Sequence, residues 1–208
     1  MKKYHKIETL YNFNEETKRF DTSKLRNPVV EELRYNKWLF TEKIDGTNLR
    51  IYWDGHKLTY AGRTDKSQFS KQQTEYLDSV INEDLEMLIE QNFGEKEAYL
   101  FGELYGGNIQ KVGKLYSENY DIMIFDVVVN GIYLLRDDVI GVCSSLGLYT
   151  VPRVLWGTID DALEYVKYNE KSTFSDAPLE GLVGTPELGF LDREGKRIIV
   201  KIKKRDSE

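Results

Sequence analysis

The sequence predicts an α+β fold built on antiparallel β-sheets, and three observations predict it. Two hairpin signals, Asp54-Gly55 and Asn130-Gly131, each join runs rich in β-branched and aromatic residues. Between them lies a long stretch of apolar residues at helical spacing, and the chain closes on further strands. Hairpins, intervening helices and closing strands in that order fit antiparallel sheets with flanking helices better than strict βαβ alternation. The 208 residues, 40% hydrophobic and 31% charged, suffice for one core with at most a small appendage. A single domain over 1–208 is expected, without internal repeat or linker.

Residues 1–37 are mixed and polar and read as a wrapping segment, with a short helix around Val29 to Tyr35 beside Pro28. Strand signals begin at Trp38. Asn48 to Trp53 and His56 to Ala61 form a hairpin across Asp54-Gly55, because Asp-Gly tolerates the positive φ of a type I′ turn. Tyr76, Leu77, Val80, Ile81, Leu85, Leu88 and Ile89 recur every three or four residues and predict one helix, capped by Gly94. Ala98 to Leu104 and Asp121 to Val129 are strands, the second turning through Asn130-Gly131 into Ile132 to Leu135. Asp137 or Asp138 is expected to cap a short helix ending near Gly147. Thr158 with Asp161 opens a helix over Ile159 to Tyr168, and Gly181 to Gly184 and Arg197 to Lys204 complete the strands.

Composition excludes several classes. No run approaches 18 apolar residues, and MKKYHKIETLYNF lacks the apolar stretch and cleavage site of a signal peptide, so a cytoplasmic protein without a membrane partner is expected. Cys143 is alone and reads as core packing, and His5 and His56 are too few for a zinc cluster. A net charge of −6 argues at first sight against nucleic acid. Its distribution argues the other way: Lys196 to Arg205 holds six basic residues and no acidic one, leaving 23 basic against 35 acidic elsewhere. Alone, such a run reads as a solvated strand or tail.

The sharpest local feature is Phe40-Thr-Glu-Lys43-Ile-Asp45-Gly46-Thr-Asn48, a lysine between a strand and a glycine turn. By itself a Lys-x-Asp-Gly is weak, an ordinary exposed turn being the plain alternative. A lysine amine attacks an α-phosphate only when deprotonated, which neighbouring cations or desolvation favour. Lys201, Lys203 and Arg63 are the natural neighbours. Strand alternation sets Ile198, Val200 and Ile202 on one face and Lys201, Lys203 and Arg205 on the other, so one strand anchors the core and charges a pocket. Those cations would neutralise charge developing on the phosphate. Glu103 and Glu180 suit ribose binding and the holding of Mg²⁺, which takes few protein oxygens. Phe125 lies among Ile122, Ile124 and Val127, where a core aromatic is as good a reading as a stacking one. Gly102 and Gly181, beside those glutamates, mark either a close ligand approach or a β-bulge.

Five segments in order, Glu42 to Asn48, Ala61 to Thr64, Phe101 to Leu104, Ile124 to Asp126, and Leu179 to Val183 with Val200 to Lys203, resemble the covalent nucleotidyltransferases, the ligase and capping-enzyme superfamily. The resemblance is closest to the double-strand RNA ligases of the T-even phage and kinetoplastid editing type. These share Glu-Lys-x-x-Gly-Thr-Asn and a segment like Gly107-Asn108-Ile109-Gln110-Lys111. It covers Trp38 to Lys204 and departs at Asp45, where the phage family often has His.

The resemblance implies an adenylyltransferase fold and an ATP-dependent RNA ligase that passes AMP through Lys43 to a 5′-phosphate for attack by a 3′-hydroxyl. It implies a nucleotide site of Glu42, Lys43, Ile44, Arg63, Glu103 on ribose, Phe125 on adenine, Glu180 on Mg²⁺ (or Mn²⁺), Lys201 and Lys203. Asn48 would serve the 3′-hydroxyl step, and Arg205, Lys111 and Lys114 the nucleic-acid phosphates. The implied partner is RNA or DNA, as a nicked duplex. A minimal DNA ligase, a capping guanylyltransferase using GTP and a non-catalytic binding module are the competing readings. The chain ends five residues after Lys203, so no OB domain is expected, an accessory subunit could supply one, and a phage-encoded enzyme would work in the host cytoplasm.

Overall fold

A computed structural model describes residues 1–204. In chain order the elements are β1 (Glu8–Thr9), β2 (Asn12–Asn14), β3 (Arg19–Asp21), α1 (Pro28–Glu32), β4 (Trp38–Glu42), β5 (Thr47–Trp53) and β6 (Leu58–Ala61). Then come α2 (Lys71–Val80), α3 (Glu83–Phe93), β7 (Ala98–Gly106), α4 (Gly113–Tyr116), β8 (Tyr120–Val129), β9 (Ile132–Tyr133) and α5 (Arg136–Ser145). The chain closes with β10 (Tyr149–Thr150), β11 (Arg153–Gly157), α6 (Ile159–Tyr168), β12 (Gly181–Pro186) and β13 (Val200–Lys203). This is the expected α+β architecture: the long strand pairs are antiparallel, and among the described residues only the short edge strands β1 and β10 pair in parallel. Among the described residues no helix is long and apolar enough to cross a membrane.

The chain divides into two compact units, Met1–Tyr4 with Asp45–Val151, and His5–Ile44 with Pro152–Glu208. In the first, the sheet runs β10-β8-β7-β5-β6, with β9 paired to β8. One of its faces buries Leu49, Ile51, Leu100, Ile122, Ile124 and Val127 against Leu77, Leu85, Ile89, Phe93, Val139 and Cys143 of α2, α3 and α5. Trp53 is fully buried there and its indole N–H donates to the Gly94 carbonyl at 2.7 Å, so a large apolar surface is buried without an orphaned donor.

Local chemistry corrects three expectations in this unit. The β5–β6 connection is a four-residue loop, because Asp54 Oδ1 accepts from the His56 and Lys57 amides and Trp53 pairs with Leu58. The single helix is two, because Asn82 Oδ1 accepts from the Asp84 and Leu85 amides and starts α3 afresh. The apolar stripe continues unbroken because both helices bury the same core. Asp137 and Asp138 lie in the first turn of α5, where they favour the helix dipole, while its N-cap is Leu135. Gly94 does end α3, with φ of 58°.

In the second unit the sheet order is β1-β13-β12-β4-β11, with β2 and β3 a separate hairpin. Trp38, Phe40, Leu182, Val200 and Ile202 turn to one face and pack with Ile159, Ala162 and Val166 of α6 and Val30 of α1. Thr158 and Asp161 form the expected capping box of α6. The last strand is shorter than expected, β13 covering only Val200–Lys203, but Ile198, Val200 and Ile202 are buried as alternation requires. Arg205 lies outside the described residues.

Candidate active site

In the second unit, pairing register places the charged residues. Gly181 faces Lys203 across β12–β13, and the Lys43 amide donates to the Gly181 carbonyl at 3.0 Å, so Lys43, Gly181 and Lys203 form one row across the sheet. The next row on that face is Arg153, Thr41, Val183 and Lys201. This is the face opposite Phe40, Leu182 and Ile202. Glu180 bridges the first row: one carboxylate oxygen accepts from Lys43 Nζ and the other from Lys203 Nζ, each at 2.7 Å. Exposure of 25%, 16% and 20% for Lys43, Glu180 and Lys203 sets this triad apart from the solvated ion pairs that contribute little.

Gly181 is required by this packing. Its φ is 152°, and a Cβ there would collide with the Ile202 carbonyl oxygen and lie 2.8 Å from Lys203 Cα. A close approach of β13 backbone, which brings Lys203 to Glu180, therefore explains this glycine. Gly102, the other glycine next to a candidate glutamate, lies at a register shift between β7 and β8, the bulge alternative. Glu42 is buried on the other side of β4 from Lys43. Its Oε2 accepts from the Thr173 amide and hydroxyl at 2.8 and 2.5 Å, while Oε1 is buried with no hydrogen-bond partner among the described residues. Ile44 is buried.

The remaining candidates belong to the first unit. Asn48 opposes Glu103 in the β5–β7 register, and its buried Oδ1 has no hydrogen-bond partner among the described residues. Gly46 is pressed against β7, where a Cβ would collide with the Leu104 carbonyl oxygen and lie 2.8 Å from Glu103 Cγ. Gln110 Nε2 donates to the Gly46 carbonyl at 3.2 Å, and the Asp45 amide donates to Tyr116 Oη at 3.4 Å. Gln110, one residue before Lys111, thus holds the turn at Gly46. Lys111, Lys114 and Arg63 are solvent-exposed.

Phe125 does not join Ile122, Ile124 and Val127 in their core. Phe101 pairs with Asp126 and Gly102 with Ile124, so Phe125 is the extra residue of the bulge and turns to the opposite face. There it meets Tyr4 edge-on at 5.0 Å between centroids, and Tyr4 also packs 4.9 Å from Phe101 and donates its hydroxyl to Asp126. Phe125 is half-buried.

Arg50 escaped the sequence reading altogether. It is fully buried beside this face, and its guanidinium donates to the Gly62 carbonyl at 2.6 Å, to the Met1 and Lys2 carbonyls at 3.2 and 3.1 Å, and to Asp65 at 2.8 Å. That hydrogen bond holds the Asp65 carboxyl below its ordinary value. The only available signal was a charged residue on the Asn48, Arg50, Tyr52 alternation, which reads as a solvated face.

The family model for RNA ligase matches residues 36–203. Among solved structures, the chain is similar to a mutant of the Naegleria gruberi RNA ligase with ATP and Mn, at 20% identity and a TM-score of 0.63, covering 95% of this chain and 59% of that one. It is likewise similar to the Naegleria gruberi RNA ligase with PPi, at 21% identity and a TM-score of 0.64, with the same coverage. At such identities the likeness is one of fold, and the chain spans about three-fifths of the length of those ligases. No curated protein matches it.

Proposed function

The chain belongs to the RNA ligase family, and on that premise we propose that it is an ATP-dependent RNA ligase of the T-even phage type, sealing 3′-hydroxyl/5′-phosphate nicks through a lysyl-AMP on Lys43. The observation that carries this reading is Glu180 clasped between Lys43 and Lys203 on one sheet face, with Lys201 in the adjacent row.

Three transfers use that face. The neutral Lys43 amine attacks the α-phosphorus of ATP, an N–P bond forms, the bond to the β-phosphate oxygen breaks and pyrophosphate leaves. A 5′-phosphate oxygen then displaces the lysine, and a 3′-hydroxyl displaces AMP, giving the phosphodiester and a proton. Attack needs the free amine, so the Glu180 pairing must be given up first. Lys201 and Lys203 are fixed by β13 before the reaction, which is what electrostatic stabilisation of the α-phosphate requires.

Among the described residues no three acidic, histidine or cysteine groups gather where they could hold a metal. A lone carboxylate such as Glu180 fits Mg²⁺ or Mn²⁺ held mainly by phosphate oxygens and water. Bound there, the ion would supply charge neutralisation on the phosphates. A buried unpaired acceptor supports one further role: Asn48 Oδ1 suits the incoming 3′-hydroxyl. Glu103 is assigned to ribose and the half-buried ring of Phe125 to the base.

Incubation with labelled ATP or GTP and Mg²⁺, denaturing electrophoresis, and a chase with a nicked duplex test the proposal. ATP-specific label on the protein that moves to the 5′ end of a nick supports it. Label from GTP alone points to a capping enzyme, and no covalent label refutes the mechanism. A template supplies alignment that a small protein cannot, so a nicked duplex should be joined faster than the same strands unannealed.

A further inference from the structure

The sheet face that carries Lys43, Lys201 and Lys203 continues to an edge that the reaction does not use. β11 is that edge strand, paired to β4 with Arg153 opposite Thr41 and Trp156 opposite Leu39. Paired residues share a face, so Arg153 lies in the row of Thr41, Val183 and Lys201, and Trp156 in the row beyond it with Leu39 and Thr185. Trp156 is 51% exposed. The Arg153 guanidinium lies over its ring at 5.4 Å from the centroid and Lys37 Nζ over it at 5.6 Å, so a base stacking there would displace these long side chains toward its own phosphates. Lys37 also reaches Glu187 at 3.3 Å, a solvated pair that costs little to exchange. Four residues of strand rise and one strand spacing put Trp156 about 14 Å from Lys43 along the same face.

An exposed indole flanked by two cations, on a chain with net charge −6, is unlike its surroundings. Large aromatics are normally buried, and an exposed one with cations at hand matches what unpaired nucleotides require: a π-face for the base and positive charge for the phosphates beside it. We propose that Trp156, Lys37 and Arg153 form an RNA-binding subsite, where Trp156 stacks an unpaired nucleotide of a substrate strand that extends beyond the paired region of the nicked duplex, and Lys37 and Arg153 take its flanking phosphates. This rests on the RNA ligase reading and adds to it a location, away from the nucleotide site, for the strand leaving the reactive end.

The test is a fluorescence-anisotropy titration of a labelled, mixed-sequence single-stranded RNA 12-mer at several salt concentrations, run beside lysine adenylation by ATP without RNA. Trp156→Ala should weaken binding about five- to tenfold, and Trp156→Phe should retain most of the affinity because a stacking face persists. The double variant Lys37→Ala/Arg153→Ala should make the dependence of log affinity on log salt shallower by about 1.4, the value for two phosphate contacts on a single strand. Adenylation should be unchanged in all three, which also shows them folded. Equal RNA binding by the wild type and Trp156→Ala, or an unchanged salt slope in the double variant, overturns the subsite and leaves this edge to a protein partner. Loss of the wild-type lysyl-AMP would instead defeat the ligase reading itself.

Discussion

The two sheets hold their candidate site residues by different means. On the second-unit sheet, Lys43, Glu180 and Lys203 are held by charge, with two ammonium groups sharing one carboxylate across a row set by strand register. On the first-unit sheet, Phe125 is held by shape: a bulge aims it, the Tyr4 ring braces it, and the buried Arg50 ties the Met1–Lys2 backbone alongside. A charge-held group fails when one charge is lost, because its partners are left desolvated and unpaired or repelling. A packing-held group fails in proportion to the volume and contacts removed. The first unit should therefore tolerate graded substitution where the second does not.

The largest effects are expected in the charged row. Lys43→Ala should abolish covalent labelling by ATP, and Lys43→Arg should fail as completely because a guanidinium stays protonated at any working pH. Label retained by either variant would break the contrast at its strongest point. Glu180→Ala and Lys201→Ala should each lower lysine adenylation more than tenfold while circular dichroism shows the folded protein. A Glu180→Ala protein that adenylates normally would mean that the shared carboxylate only organises the unliganded row.

In the first unit, Arg50→Met should cost about 1–3 kcal/mol in urea denaturation, since it leaves the buried Gly62 carbonyl, and those of Met1 and Lys2, without their donor. This effect on stability should exceed its effect on adenylation. The same residue predicts a pH dependence. Arg50 depresses the Asp65 carboxyl below its ordinary 3.8, so the folded state prefers the carboxylate. That stabilisation is complete above the ordinary value and is lost as pH falls through the depressed one. The acid limb of wild-type stability should therefore be steeper than that of Arg50→Met, and superimposable limbs would remove Asp65 from the account.

Smaller still are the effects at the aromatic face. Phe125→Ala should raise the ATP concentration needed for half-maximal adenylation about three- to tenfold, with Phe125→Trp closer to wild type because a stacking surface remains. Tyr4→Phe keeps the ring against Phe125 and removes the hydroxyl that donates to Asp126, so it should change this value least. A Tyr4→Phe defect as large as that of Phe125→Ala would show that the hydrogen bond, not the packing, orients Phe125.

What could be read in advance follows the same division. The placement of the charged row was legible because local sequence makes it: Lys43 directly follows β4, and simple alternation in β13 separates Val200 and Ile202 from Lys201 and Lys203. The hairpin at Asn130-Gly131 and the capping box at Thr158 were legible for the same reason, both being local chemistry. Phe125 was not, because the β7–β8 bulge breaks the alternation on which its placement depends, and a bulge is decided by the partner strand. Arg50 binds carbonyls 48 and 49 residues away, and no local pattern records such a contact. The break at Asn82 was hidden by an apolar stripe that two helices share.

The central claim is that Lys43, released from Glu180, is the residue that carries AMP. Intact-protein mass spectrometry after incubation with ATP and Mg²⁺, followed by acid-sparing digestion and peptide mapping, tests it directly. A single AMP adduct on the peptide spanning Lys43, lost on mild acid treatment as a phosphoramidate should be, is the predicted result. An adduct mapped to Lys201, Lys203 or any other residue, or no adduct from a folded protein that binds ATP, would contradict it.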